Sequence, residues 1–194
     1  ELNLETYQDE NLNVILKRKA SKGYENAPKV ILQGHMDMVA SKTDDSDHDF
    51  LKDPIKPILD GKYLTADKTT LGADNGIAVA MGLSLLEDEN YVGPQIELLV
   101  TTEEETSMAG ALNLAGDILE GEYLINIDSE EEGVLTVGSA GGITFFISEK
   151  IGKEEDKDGF EIKVSGLLGG HSGMEIHQQR GNSIKFAREA LKLI

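Results

Sequence analysis

KVILQGHMD (29–37) is a short apolar run closed by a histidine and, two positions on, an aspartate. Lys29 to His35 has the length and aliphatic, β-branched content of a buried strand. Alternation along an extended chain puts His35 and Asp37 on one face, where the carboxylate can hydrogen-bond the imidazole and fix its tautomer. Metal-binding histidines are commonly held this way. A purely structural His–Asp pair has the same pattern, and these residues alone leave both readings open.

Outward from this run the chain alternates. Upstream, Asn13 to Lys19 alternates loosely and Ala20 to Pro28 is a turn-rich break. Downstream, Ser41 to Lys56 is polar and acidic and reads as a loop, and Asp60-Gly61 is a turn signal. Asp74 opens a helix in which Ile77, Met81 and Leu85 recur every four residues, while Gly76, Ala78, Ala80 and Gly82 allow close packing on a sheet. The helix fades between Glu87 and Asn90. A strand over Gln95–Thr101, a short helix over Ser107–Leu114 and a strand over Glu122–Ile127 follow. This rhythm predicts an α/β fold, a mostly parallel sheet with flanking helices.

After Gly138 the character changes. Strands are expected at Ile143–Ser148 and Phe160–Val164, joined by the polar stretch Gly152–Gly159, with a helix from Asn182 to Ile194. That is an α+β order, and it places a domain boundary near residue 141, dividing 1–141 from 142–194.

The 194 residues suffice for one domain, or one domain and part of another. With 36 acidic and 18 basic residues the net charge is −18, a field that repels nucleic acid and anionic membrane, so neither is an expected partner. No apolar stretch reaches the ~18–20 residues of a membrane helix, and no signal peptide is visible. The chain starts at Glu1 without Met, which leaves a removed leader open. Cysteine is absent, so a metal site must use His, Asp and Glu; this fits a reducing compartment, and the cytoplasm is the expected location.

Several residues at element ends carry ligand chemistry. Asp74, at a helix start, reads either as an N-cap or as a ligand at the edge where open α/β sheets bind theirs. Glu103-Glu104-Glu105 directly follows an apolar strand. Such a run is ordinarily a solvated face, but like charges at a buried strand end repel unless a cation sits among them. Asp128 ends the next strand, an ordinary place for an aspartate. Parallel strands bring their C-terminal ends to one edge, so His35, Asp37, Asp74, the glutamates and Asp128 can converge. A donor set of imidazole and carboxylates suits Zn²⁺, with Mn²⁺ or Co²⁺ as alternatives.

The strings GHMDMV (34–39), HDFLKDPI (48–55), TTLGADNGIAVA (69–80), TTEEE (101–105), INIDSEEEG (125–133) and GGHSGMEIHQQRGN (169–182) resemble aminoacyl-histidine dipeptidases. These are Xaa-His, carnosinase-like enzymes in the wider dinuclear zinc peptidase family of carboxypeptidase G, acetylornithine deacetylase and succinyl-diaminopimelate desuccinylase. The resemblance runs through almost the whole chain, in the family's order. It implies His35 as a ligand of one zinc with Asp37 orienting it, Asp74 bridging two metals, Asp128 completing the first site, Glu104 on the second metal and Glu103 as general base. The third glutamate, Glu105, leaves the register of that pair ambiguous. A lid histidine is implied at His171, which by its setting between glycines also reads as a surface turn residue.

The reaction so implied is hydrolysis of a dipeptide's peptide bond by water activated between two zinc ions. Residues 1–141 would be the metal-binding catalytic domain and 142–194 the start of a lid or dimerisation domain, with a homodimer as one expectation. The family's further second-metal histidine has no match at His48 or His177. The chain therefore reads as an N-terminal fragment, with a weakened second site and little activity by itself.

Rival readings are an N-acyl amino acid deacylase of the same family and a non-catalytic cation-binding fragment. Asp45-x-Asp47-x-Asp49 fails as an EF-hand, because Phe50 stands where Gly is needed and Lys56 where Glu is needed. Gly170-His-Ser172-Gly173-Met174 lacks the last glycine of a serine-hydrolase elbow, and no nucleotide-binding glycine fingerprint is present.

Overall fold

The computed structural model describes residues 4–129, 131–139, 141–143, 145–150, 152, 159–170, 173, 175–193. The chain divides into two compact units, Glu1–Val137 and Gly138–Ile194.

The first unit is built on a five-stranded sheet. Its strands are β1 (Glu5–Gln8), β2 (Val14–Arg18), β3 (Val30–His35), β6 (Ile96–Thr101) and β7 (Tyr123–Asn126), in the order β1-β2-β6-β3-β7. A separate hairpin pairs β4 (Pro57–Asp60) with β5 (Tyr63–Ala66). Asp60 faces Tyr63 across a two-residue turn, and Gly61 supplies the positive φ of 60° that the turn requires.

β3 runs parallel to both β6 and β7, but β2 is antiparallel to β6 and to β1. The sheet is thus mixed, which corrects the mostly parallel expectation. The cause is local. Asp9 accepts hydrogen bonds from the amides of Asn11 and Asn13 and from the Asn13 side chain, closing a tight turn between β1 and β2. A tight turn can join only antiparallel strands, since a parallel pair needs a long crossover.

α1 (Ala73–Glu87) packs on one face, where Leu86 joins Leu32, Ile96, Leu98 and Val100 in a buried cluster. The alternate residues Ile15, Ile31 and Leu99 form the core of the other face, against Leu114, Ile118 and Leu119. The buried stripe of α1 is Asn75, Ala78, Gly82 and Leu86. Of the small residues expected to allow close packing, Ala78 and Gly82 are on this stripe, whereas Ile77, Met81 and Leu85, which recur every four residues, remain 53%, 50% and 40% exposed. Close approach explains the difference: a Cβ on Gly82 would lie 2.3 Å from Leu98, so small residues mark the contact side. The helix expected at 107–114 contracts to α2 (Ala109–Leu112), followed by a 3-10 turn at Gly116–Ile118.

In the second unit, α3 (Ser183–Leu191) begins at Asn182, whose side chain accepts the Lys185 amide hydrogen at 3.0 Å. The strands expected at 143–148 and 160–164 do not form among the described residues. Phe146 and Ile147, 92% and 93% exposed, lack the buried face and paired ladder that hold an apolar strand in place. Among the described residues, no helix is long and apolar enough to cross a membrane.

Candidate metal centre

His35 closes β3 opposite Thr101 of β6 and is 1% exposed. Its Nδ1 lies 2.9 Å from the Asp37 carbonyl and 3.4 Å from the Asp37 carboxylate. The ring's other nitrogen, Nε2, faces three carboxylates: Asp74 at 3.2 Å, Asp128 at 3.8 Å and Glu104 at 3.9 Å. Ligand atoms of His35, Asp74 and Asp128, and separately of His35, Glu104 and Glu105, lie within 4.8 Å of one another.

Asp74 does not cap its helix. The N-cap position is Gly72, and Asp74 and Asn75 have non-helical backbones, so the Asp74 carboxylate is turned to the imidazole. The Asp74–Asn75 peptide is cis. Asp37 accepts the amide hydrogens of Glu104 and Glu105, both at 3.1 Å, which ties the residues after β6 to the end of β3.

Glu103 is placed differently from the expectation. Its φ of 57° is left-handed, and its carboxylate accepts the Ser107 hydroxyl at 2.5 Å instead of joining His35. Glu104 and Glu105 are the glutamates brought to the cluster. His171 lies outside the described residues.

Asn75 is a residue that sequence reasoning missed. Buried at 3% exposure, it accepts the His35 amide hydrogen at 3.2 Å and donates to the Ile127 carbonyl and the Asp128 carboxylate, each at 3.3 Å. It reaches them because Gly34 leaves room: a Cβ there would sit 2.4 Å from the Asn75 Oδ1. No local pattern marks an asparagine for this role.

The electrostatics follow from the geometry. Burial pushes the His35 imidazole down, but the Asp128 charge, the Asp37 carbonyl and the Asp74 and Asp37 carboxylates outweigh it and leave the pKa raised. Glu104 is raised by burial first, then by the charges of Asp128, Glu105 and Asp37, against the opposing pull of His35. Asp37 is lowered, because the Glu105 and Glu104 amides and His35 overcome the effect of its burial.

The donor set fits a divalent ion. Ligands about 2.0–2.2 Å from a tetrahedral zinc stand roughly 3.4 Å from one another, and the His35–Asp74 and His35–Asp128 separations of 3.2 and 3.8 Å bracket that value. The hydrogen-bonded Nδ1 and outward Nε2 match the arrangement that presents an imidazole lone pair to a metal.

No family model matches the chain. Over 181 residues it is 47% identical to the cytosol non-specific dipeptidase of Escherichia coli (strain K12), an alignment covering 92% of this chain and 37% of that protein. The crystal structure of an aminoacylhistidine dipeptidase from Vibrio alginolyticus superposes with a TM-score of 0.64 at 46% identity, over 67% of this chain and 26% of that one. A tripeptidase from Staphylococcus aureus gives a TM-score of 0.55 at 25% identity, over 67% and 35% of the two chains. The chain spans little more than a third of the curated dipeptidase. All three of these relatives carry peptidase names.

Proposed function

We propose that the protein is a metal-dependent dipeptidase whose reacting centre is the cluster around His35. The observation that carries this reading is the convergence of Asp74, Asp128 and Glu104 on the Nε2 of one buried imidazole, at the ends of β3 and β6, just beyond β7 and at the start of α1. Peptidase relatives at 47% and 46% identity support the same chemistry.

In this proposal His35, Asp74 and Asp128 would hold one ion, and Asp74 and Glu105 would contribute donors to a second. Zinc is the ion the donors suit best. When bound, such ions bring the pKa of water to about 7 and polarise a carbonyl oxygen.

The side chains do the rest. Asp37 holds the His35 ring by its Nδ1 side and keeps Nε2 directed into the cluster. Glu104, with its raised pKa, is suited to take a proton from the attacking water on a carboxylate oxygen and return it to the leaving amine. With Glu103 engaged by Ser107 and the pKa of Glu104 raised, this proposal takes Glu104 as base and Glu105 as ligand, one residue later than the resemblance implies. The substrate class is dipeptides, Xaa-His among them, because one relative is named non-specific and the other aminoacylhistidine.

The test is bound zinc per chain by elemental analysis, together with dipeptide hydrolysis, for the protein and its His35→Ala variant. Zinc retention and zinc-dependent cleavage that both disappear in the variant support the proposal. Equal zinc in the two proteins would show that the cluster is not a metal site.

A further inference from the structure

A cavity of about 240 Å³ opens beside the cluster, and Glu104 and Asp128 are part of its lining. It lies within the first unit, on the sheet face opposite α1. We infer that this cavity receives one side chain of the substrate, an uncharged one of leucine or histidine size. The inference rests on the dipeptidase reading above.

Size gives the first reason. Sites that engulf a whole small ligand run to about 300–1,000 Å³, so 240 Å³ is below that class. It is still the volume of roughly eight liquid waters at about 30 Å³ each, far more than a methyl group needs. Position gives the second. A substrate whose carbonyl lies among His35, Asp128 and Glu104 carries its nearest side chain a few bonds away, and the cavity begins at two of those residues.

The lining sets the chemistry. Leu99, Met108, Leu114 and Leu124 form apolar walls. Gln33, Thr101 and Asn126 form a polar floor whose groups are tied to one another. The Asn126 amide donates to the Gln33 Oε1, the Gln33 Nε2 donates to the Thr101 hydroxyl at 3.1 Å, and that hydroxyl donates to the Gly34 carbonyl at 3.3 Å. These bonds fix the amides in place, so the floor is preorganised and neutral. The carboxylates of Glu104 and Asp128 at the cluster end repel an acidic side chain.

Ala111 lines the cavity from α2 and is exposed, so Ala111→Phe narrows the space without entering the core. Leu124 lines it from β7 and is 55% exposed, so Leu124→Ala widens it with little cost to folding. Both variants would be made in the full, zinc-loaded chain. The readout is kcat/KM on dipeptides in which each position in turn is Gly, Ala, Leu, His, Phe or Glu.

The unmodified protein should favour Leu and His over Glu at one position by at least about tenfold, the scale set by one or two well-packed groups. Ala111→Phe should cost about tenfold or more for Leu and His there while leaving Gly and Ala within about threefold. Leu124→Ala should shift preference toward Phe. A ranking that neither variant changes, a uniform loss on every substrate or a preference for Glu would overturn the pocket while leaving zinc-dependent cleavage standing. If a form of the protein as long as its dipeptidase relatives, loaded with zinc, cleaves no dipeptide at all, the dipeptidase reading fails first and the pocket fails with it.

Discussion

At the start of β6 and just before β7 the carboxylates of Glu97 and Glu120 meet lysines, whereas at the far end of the same sheet Asp74, Asp128 and Glu104 meet one imidazole. Glu97 is fully buried. One of its oxygens lies 3.1 Å from Lys17, and the other accepts the amide hydrogens of Glu120 and Gly121 at 2.9 and 3.0 Å. Glu120 pairs with Lys17 and Lys29, hydrogen bonds that, with one from Gln95, hold its pKa down at about 2. Glu104 is pushed the other way, by burial and neighbouring carboxylates. Acidic clusters are therefore not alike. Where lysines neutralise the charge the cluster is a clamp, and where carboxylates crowd one imidazole the arrangement calls for a cation.

The sharpest way to break this comparison is at the carboxylate proposed to move a proton. Glu104→Gln should lower turnover by about 10²–10⁴-fold, the usual contribution of a general base, with bound zinc near normal. Glu103→Gln should leave turnover largely intact, because that side chain is engaged with Ser107. The reverse result from paired steady-state kinetics and zinc analysis would put the base at Glu103 and remove Glu104 from the role.

The clamp should respond in stability instead. Lys17→Met leaves Glu97 buried without its cation, a change that costs about 3–5 kcal/mol for a buried pair. Urea titration should show that loss, while zinc affinity of the folded protein stays unchanged because Lys17 lies at the other end of the sheet. A change of less than about 1 kcal/mol would mean that the Glu120 and Gly121 amides suffice to hold Glu97.

Next in size comes the orienting carboxylate. Asp37→Asn keeps the shape but removes the charge beside the His35 Nδ1, and such losses cost about 10–100-fold in metal affinity. Zinc titration by calorimetry measures it. An unaffected affinity would make Asp37 a tether for the Glu104 and Glu105 amides alone.

How much of this could be read from the chain varies by element. β3, β6 and β7 are legible as apolar runs, and His35, Asp74 and Asp128 stand out because a charged or imidazole group ends, opens or follows an ordered element. The register within Glu103–Glu105 is not legible. Three consecutive glutamates look alike, and what separates them is a left-handed backbone at Glu103 that a β-carbon disfavours and that no local signal announces. The contact face of α1 is legible in its small residues and not in its large ones. The large residues Ile77, Met81 and Leu85 recur regularly, yet where the sheet comes nearest it is the small Ala78 and Gly82 that meet it. Asn75 depends on a space left by Gly34, forty-one positions away, and a relation between two distant residues is invisible in either one's neighbourhood. That β1 and β2 run in opposite directions depends likewise on side-chain bonds in the turn at Asp9.

The smallest effects concern pH, and they separate the two ends of the sheet by sign. Glu120 has a depressed folded pKa, so its contribution to stability is present above the ordinary glutamate value of about 4.3 and fades as pH falls toward its folded value of about 2. His35 has a raised folded pKa, so in the metal-free protein its contribution is complete below the ordinary histidine value of about 6.5 and is lost as pH rises through the raised value. Zinc binding needs the neutral imidazole and should strengthen over that same rise. The difference in melting temperature between the metal-free protein and His35→Ala should therefore shrink with rising pH above about 6.5, while the increase produced by added zinc grows. Glu120→Gln should flatten only the acid limb. If the zinc-induced increase were constant across the neutral range, proton release from His35 would not accompany binding, and the imidazole would not be the ligand proposed above.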